Sequence, residues 1–63
     1  MAIITLTTDW GNAGYYAAAV KGTILSQLPD ATIVDITHEI EPFNVREASF
    51  IMRNAFRHFP AGT

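Results

Sequence analysis

The stretch "IITLTTDWGN", residues 3–12, decides the expected fold because a strand-like run passes directly into a turn. β-Branched residues occupy positions 3–8 apart from Leu6, a composition typical of a buried strand. The run ends in four residues of a different kind: Asp9, Trp10, Gly11 and Asn12. Gly11 is free to adopt a positive φ and Asn12 is a candidate helix N-cap, so we predict a turn here and a helix after it.

Apolar residues recur with helical spacing on either side of a second strand-like run. The first set predicts a helix near residues 13–28, which Pro29 ends, and consists of Tyr16, Val20, Ile24 and Leu28. The run "TIVDIT", residues 32–37, predicts a second strand. Asn44 and Glu47 then have the spacing of a capping box and predict a helix near residues 44–58. Its expected core-facing stripe is Val45, Ala48, Met52, Ala55 and Phe59.

The predicted order is β-α-β-α, with strands near residues 2–8 and 32–37. About 23 residues separate the strands, enough for a helical crossover, which favours parallel pairing with a right-handed connection. Two parallel strands do not close a core, because helices normally cover such sheets on both faces, and Phe50 is predicted to point away from the core stripe. We therefore expect an α/β fold in which residues 1–63 form the amino-terminal part of a larger three-layer α/β domain. The alternative is a self-contained domain of 63 residues.

Composition narrows the possible classes of function. The chain has no cysteine, which excludes disulfides and zinc–thiolate sites, and its net charge of −2 predicts neither nucleic acid nor an anionic membrane as a partner. No apolar run approaches the roughly 20 residues of a membrane-spanning helix. The amino terminus lacks the basic and apolar regions of a secretory signal, so the expected location is the cytoplasm.

Candidate site residues follow both predicted strands, at the edge where open parallel sheets bind ligands. A carboxylate at Asp9 can accept two hydrogen bonds from a vicinal diol such as ribose, and Trp10 can offer a flat apolar wall. The alternative is that Asp9 only caps the turn and Trp10 belongs to the core. His38 and Glu39 could bind a metal ion together with Asp9, or His38 could pack at the strand end and hydrogen-bond to the backbone.

Three segments together resemble a known family: "IITLTTDWG", "VKGTILSQLPDATIVDITHEIEPFNVREASF" and "FPAGT". They are similar to the amino-terminal segment of the S-adenosyl-L-methionine (SAM) hydroxide adenosyltransferases, or SAM hydrolases, which are related to the fluorinases and chlorinases. The resemblance covers essentially the whole chain. Its specificity lies in the combined order of T-D-[aromatic]-G, K-G-x-[IL]-x-S-x-x-P-D, V-D-I-[ST]-H-x-I and F-P-x-G-T.

The resemblance implies that the parent protein cleaves SAM to adenosine and L-methionine by attack of water or hydroxide at the 5′ carbon. It implies a homotrimer with the ligand between domains of neighbouring subunits, SAM as the substrate, and no metal or other cofactor. The position matching Asp9 holds the ribose hydroxyls in this family. The position matching Phe43 is a ligand-facing aromatic residue in the halogenases and often polar in the hydrolases, so Phe43 is expected to form a wall of the adenosyl pocket. The catalytic residues that activate water are expected after residue 63, so the segment alone is expected to be inactive.

One departure from the family leaves other functions open. Gly14 stands where the family commonly has an aspartate that meets the ammonium group of methionine. A family member that binds adenosine or SAM without turning it over is therefore an alternative. A metal-dependent α/β hydrolase that uses Asp9, His38 and Glu39 is another.

Overall fold

The computed structural model describes residues 2–63 and has the predicted order of elements. The elements are β1 (Ile3–Thr7), α1 (Tyr16–Gln27), β2 (Thr32–Thr37), α2 (Val45–Ala55) and a final turn of 3₁₀ helix (Phe56–His58). The predicted α/β class and the β-α-β-α order are confirmed. The first helix begins at Tyr16 rather than near residue 13, and the second ends in a 3₁₀ turn where a continuous helix was predicted.

The two strands pair in parallel, as predicted, with Ile3 opposite Thr32 and Leu6 opposite Asp35. The register then shifts, because the next pair is Thr7 with Thr37. Ile36 is therefore an extra residue in β2, which makes a β-bulge near the carboxyl end of the sheet. Bulges of this kind redirect the side chains that follow them, and they are common beside functional sites.

Hydrogen bonds attach the two helices to opposite faces of the sheet. Lys21 of α1 donates from Nζ to Oδ2 of Asp35 in β2, whereas Thr7 of β1 donates from Oγ1 to Sδ of Met52 in α2 over 2.9 Å. Asp35 is the register partner of Leu6, and Leu6 and Thr7 are consecutive, so the side chains of Asp35 and Thr7 lie on opposite faces. The order of layers is therefore helix, sheet, helix, with two strands in the sheet described by residues 2–63.

The buried face of α1 differs from the prediction. Tyr16 and Leu28, the two ends of the predicted stripe, are 57% and 50% exposed. The half-buried positions are instead Ala17, Val20, Lys21 and Ile24, which have i, i+3, i+4, i+7 spacing. Asn12 is not the N-cap either, because Tyr15 occupies that position without a capping side-chain hydrogen bond. The side chain of Asn12 bonds to Glu39 instead.

Asn44 caps α2 as predicted, since its Oδ1 accepts a hydrogen bond of 2.9 Å from the backbone N–H of Glu47. The carboxylate of Glu47 reaches beyond the N-cap residue and accepts from the backbone N–H of Glu41 over 2.7 Å. The predicted stripe is wrong at its amino-terminal end, because Val45 is 75% exposed while Ile51, outside that stripe, is half-buried. Val45 thus faces solvent, whereas Glu47 and Ala48 in the same turn are half-buried.

The most buried residues lie beyond the strand ends. Among residues 2–63, His38 and Ile40 are the most enclosed, at 4% and 6% exposure. Phe50 is 69% exposed, in line with the prediction that it points away from the core stripe. No helix in the part of the chain that the structure describes is long and apolar enough to cross a membrane.

Candidate functional site

The site is built from two loops that leave the carboxyl ends of the strands: a first loop of residues 8–15 and a second loop of residues 38–44. Backbone hydrogen bonds join the loops where the strands end, from Ile40 N–H to the Thr8 carbonyl over 3.3 Å and from Gly11 N–H to the His38 carbonyl. The backbone N–H and the side-chain amide of Asn12 both donate to Oε1 of Glu39, over 3.0 and 2.7 Å. The two loops therefore form one hydrogen-bonded surface.

Asp9 and Phe43 meet on this surface. The backbone N–H of Phe43 donates to Oδ2 of Asp9 over 3.2 Å. The other oxygen, Oδ1, accepts no hydrogen bond from residues 2–63, and the Asp9 side chain is exposed. The alternative that Asp9 caps its own turn is therefore not what the structure has. One carboxylate oxygen is held by the second loop and the other is open to a donor from a ligand.

The backbone of Phe43 has an unusual conformation for an aromatic residue. Its φ is 63°, in the left-handed region, and the N–H of Asn44 donates to the carbonyl of Glu41 over 2.9 Å to close a β-turn. Pro42 occupies the second position of that turn and Phe43 the third, where positive φ normally calls for glycine. The ring is 92% exposed. Strained residues of this kind cost about 1–3 kcal/mol and cluster at functional sites.

A shallow pocket of about 220 Å³ lies between the loops and the start of α2. Its lining includes both of the predicted site residues Asp9 and Phe43, and it consists of Thr7, Thr8, Asp9, Ile40, Phe43, Asn44, Val45 and Ala48. Small-molecule pockets usually measure about 300–1,000 Å³, so these residues supply part of a site of ordinary size.

Trp10, the third predicted site residue, does not line this pocket. It is 42% exposed, and its ring centroid lies 6.2 Å from that of Tyr16 at a tilt of 44°. Tyr16 in turn stacks on Tyr15, with centroids 4.9 Å apart. Trp10 is thus part of an exposed aromatic cluster rather than of the core, and the structure does not bring it together with Phe43.

Both ring nitrogens of His38 form hydrogen bonds with other side chains. Nδ1 lies 2.7 Å from Oγ1 of Thr8, and Nε2 lies 2.9 Å from Oδ1 of Asp35. These partners differ from the backbone group expected from the sequence. In a regular strand, Asp35 and His38 would lie on opposite faces because they are three residues apart. The bulge at Ile36 brings their side chains to the same face, since Leu6 pairs with Asp35 and the next residue, Thr7, pairs with Thr37.

Charge at Asp35 is stabilised by its neighbours. The hydrogen bond from Lys21, followed by that from His38, lowers the pKa of the Asp35 carboxyl below its ordinary value of 3.8. The side chain itself is 39% exposed. Asp35 therefore combines partial exposure with two side-chain partners.

The proposed metal set of Asp9, His38 and Glu39 is not assembled. His38 uses both ring nitrogens for protein partners, and Glu39 accepts from Asn12. Residues 2–63 contain no group of three or more histidine, aspartate or glutamate side chains that could hold a metal ion. The metal-dependent alternative therefore has no support in this geometry.

Gly14, the departure from the family pattern, has φ of +91°, and a Cβ added there would meet open space. An aspartate there would need a backbone conformation that residues with a side chain rarely adopt. The absence of a carboxylate thus goes together with a loop conformation that favours glycine.

The chain matches known proteins over nearly all of its length. Residues 4–63 match the family model described as the SAM hydroxide adenosyltransferase N-terminal domain. The chain is 47% identical over 62 residues to an (R)-S-adenosyl-L-methionine hydrolase of Methanocaldococcus jannaschii, covering 92% of this chain and 24% of that protein. It is 41% identical over 61 residues to a fluorinase of Nocardia brasiliensis, covering 97% of this chain and 20% of the fluorinase.

A solved structure shares the fold. The crystal structure of an uncharacterized conserved protein from Thermotoga maritima superposes with a TM-score of 0.84 at 45% sequence identity. The match covers 95% of this chain and 22% of that one. The chain therefore spans between a fifth and a quarter of the length of the proteins it resembles.

Proposed function

The chain belongs to the SAM hydroxide adenosyltransferase family, and from that premise we propose that the enzyme containing this segment hydrolyses S-adenosyl-L-methionine. Water attacks the 5′ carbon, either directly or after losing a proton to become hydroxide, and the bond from that carbon to sulfur breaks. The products are adenosine, L-methionine and the one proton lost from the attacking water. The match over residues 4–63 and the relatives named as hydrolases support this proposal. A cytoplasmic location stays a prediction.

The observation that carries a role for this segment is the half-engaged carboxylate of Asp9. Oδ2 already accepts from the backbone N–H of Phe43, so the plane of the carboxylate is restrained before any ligand arrives. Oδ1 and the remaining lone pairs face solvent, where the 2′ and 3′ hydroxyls of a ribose can donate to them. The exposed ring of Phe43 borders the same pocket and would cover an apolar face of the adenosyl group.

The proposed reaction suits a site that positions its substrate and excludes water. A hydroxide and a sulfonium ion carry opposite charges that are neutralised as the new bond forms, so the transition state is less polar than the separated reactants. Holding the ribose diol on Asp9 places the 5′ carbon relative to the nucleophile, which lowers the entropic part of the barrier. The positive sulfur already makes methionine a good leaving group, so the proposal needs no cofactor.

The proposal extends to assembly. A homotrimer, with the ligand between subunits, would cover apolar side chains such as Phe50, Phe56 and Val45, which are 69%, 63% and 75% exposed. Exposed apolar groups of this number are typical of surfaces that contact another domain or chain. The groups that activate water are proposed to lie outside residues 2–63, and light scattering on the full-length protein measures the number of subunits.

The test is a product analysis in ¹⁸O-labelled water with the full-length enzyme. Attack at the 5′ carbon predicts adenosine that carries ¹⁸O in its 5′ hydroxyl, together with unlabelled methionine. A parallel reaction with added fluoride separates hydrolysis from the halide transfer for which the fluorinases are named. SAM that binds but is not consumed in either reaction would contradict the enzyme and favour the non-catalytic alternative. Label in the methionine-derived product would contradict attack at the 5′ carbon.

A further inference from the structure

His38 is the most buried side chain among residues 2–63, and the proposed reaction does not use it. Its ring lies between Asp35 on the strand and Thr8 in the first loop. Lys21 of α1 holds the far side of Asp35. These four side chains form a continuous series of hydrogen bonds that leads from a helix on one face of the sheet to the residue before Asp9.

The chemistry of the groups assigns the direction of each bond. An ionised carboxylate only accepts, so Nε2 of His38 carries the proton that is donated to Asp35. The lowered pKa of Asp35 keeps that carboxylate ionised at neutral pH. In the tautomer whose single proton is on Nε2, Nδ1 is an acceptor and the hydroxyl of Thr8 donates to it. With its hydrogen committed to His38, Oγ1 of Thr8 keeps lone pairs to accept from the backbone N–H of Trp10 over 3.3 Å.

The bond from Trp10 to Thr8 closes a turn with Asp9 as its middle residue. We propose that Thr8 and His38 are positioning residues for Asp9: His38, held as its Nε2–H tautomer by Asp35, orients the Thr8 hydroxyl, and that hydroxyl sets the turn that presents Asp9 to the ribose diol. The proposal rests on the ribose role of Asp9. It also explains the bulge at Ile36, without which Asp35 and His38 would lie on opposite faces.

Two variants of Thr8 distinguish the positioning role from a purely structural role of the same residues. Thr8→Val keeps the shape of the side chain and removes the hydroxyl, whereas Thr8→Ser keeps the hydroxyl and removes a methyl group. The readout is the ratio of dissociation constants of the full-length protein for 2′,3′-dideoxyadenosine and for adenosine. This ratio reports recognition of the diol and is insensitive to a uniform loss of folded protein.

We expect the ratio to fall roughly tenfold in Thr8→Val, the lower end of what loss of an orienting partner costs at metal sites, and to be retained in Thr8→Ser. If each variant weakens the binding of adenosine and of 2′,3′-dideoxyadenosine by the same factor, the residues are structural and the positioning proposal is overturned. If the wild-type protein does not discriminate between the ligands, the ribose role of Asp9 fails, and the positioning role fails with it. Discrimination by both the wild type and Thr8→Val overturns the positioning role alone.

The direction of the hydrogen bonds has a test without ligand. Histidine-selective ¹⁵N labelling of the full-length protein reports the tautomer of each neutral imidazole, and a His38→Gln variant identifies the signal of His38. The proposal predicts the Nε2–H tautomer at neutral pH. A neutral ring with its proton on Nδ1, or an imidazolium, would reverse the bond to Thr8 and overturn the proposal.

Discussion

Replacement of Phe43 by glycine and by alanine separates the backbone of this residue from its ring. Both changes remove a side chain that is 92% exposed, so neither loses much packing within the described chain. They differ at the backbone, where φ is 63°. The left-handed conformation costs about 1–2 kcal/mol for a residue with a Cβ and almost nothing for glycine.

The expected difference follows from two opposing contributions. At an ordinary position glycine is less stable than alanine by roughly 0.5–1 kcal/mol, because it loses more conformational freedom on folding. Subtraction leaves Phe43→Gly more stable than Phe43→Ala by about 0.5–1 kcal/mol, an inversion of the usual order. The two variants should bind adenosine equally, each roughly three- to tenfold more weakly than the wild type, because an aromatic contact contributes about 0.5–1.5 kcal/mol.

Denaturant-induced unfolding of the two full-length variants, alongside calorimetric titration with adenosine, measures both quantities. If Phe43→Ala proves as stable as Phe43→Gly or more so, the positive φ does not strain this position. If Phe43→Ala binds adenosine as tightly as the wild type, the ring is not a wall of the pocket.

Two further predictions concern the loop and the charged pair. Gly14→Ala should destabilise the full-length protein by roughly 1–2 kcal/mol, because φ at this position is +91°. As a control, Gly22→Ala in α1 should stabilise the protein by up to about 1 kcal/mol. A Gly14→Ala variant that is more stable than the wild type would contradict the loop conformation. The pKa of Asp35 is lowered on folding, so its contribution to stability is complete above the ordinary pKa of 3.8 and is lost as the pH falls through the lowered value. The difference in unfolding midpoint between wild type and Asp35→Asn should therefore shrink on acidification through this range, and a constant difference would contradict the ionised pair with Lys21.

The order of elements could be predicted because it depends on local patterns. β-Branched runs, the Asn44 cap and the breaking effect of Pro29 each act within a few residues, and the parallel pairing follows from the length of the crossover. The buried face of α1 could not be read in the same way. Its alanines fit either face, so the face is set by the position of the helix on the sheet, where Lys21 reaches Asp35.

Two features of the site depend on contacts between distant segments. The bulge at Ile36 arises from the register of β2 against β1. A regular strand would place Asp35 and His38 on opposite faces, so their contact could not be predicted from the sequence of β2 alone. Only Pro42 indicated the turn that gives Phe43 its positive φ, because proline suits the second position of a turn. The third position of such a turn favours glycine, so a phenylalanine there argues against a positive φ. The placement of Asp9 at the carboxyl edge needed only the strand pattern, and it was found from the sequence.

The ribose role of Asp9 is tested most directly by one comparison in the full-length protein: binding of adenosine and of 2′,3′-dideoxyadenosine to the wild type and to Asp9→Asn. An asparagine can still accept from the N–H of Phe43, but it then turns an amide NH₂ towards the diol in place of a charged acceptor. Asp30→Asn, in the exposed turn before β2, is the matched control and should bind like the wild type.

We predict that Asp9→Asn weakens adenosine binding at least roughly tenfold, or about 1.4 kcal/mol, because charge-assisted hydrogen bonds contribute about 1.5–3 kcal/mol each. Binding of the dideoxy compound should change little, so the wild type discriminates strongly between the two ligands and the variant much less. If the wild type and Asp9→Asn discriminate to the same extent, Asp9 does not hold the ribose hydroxyls and the account of this site is wrong.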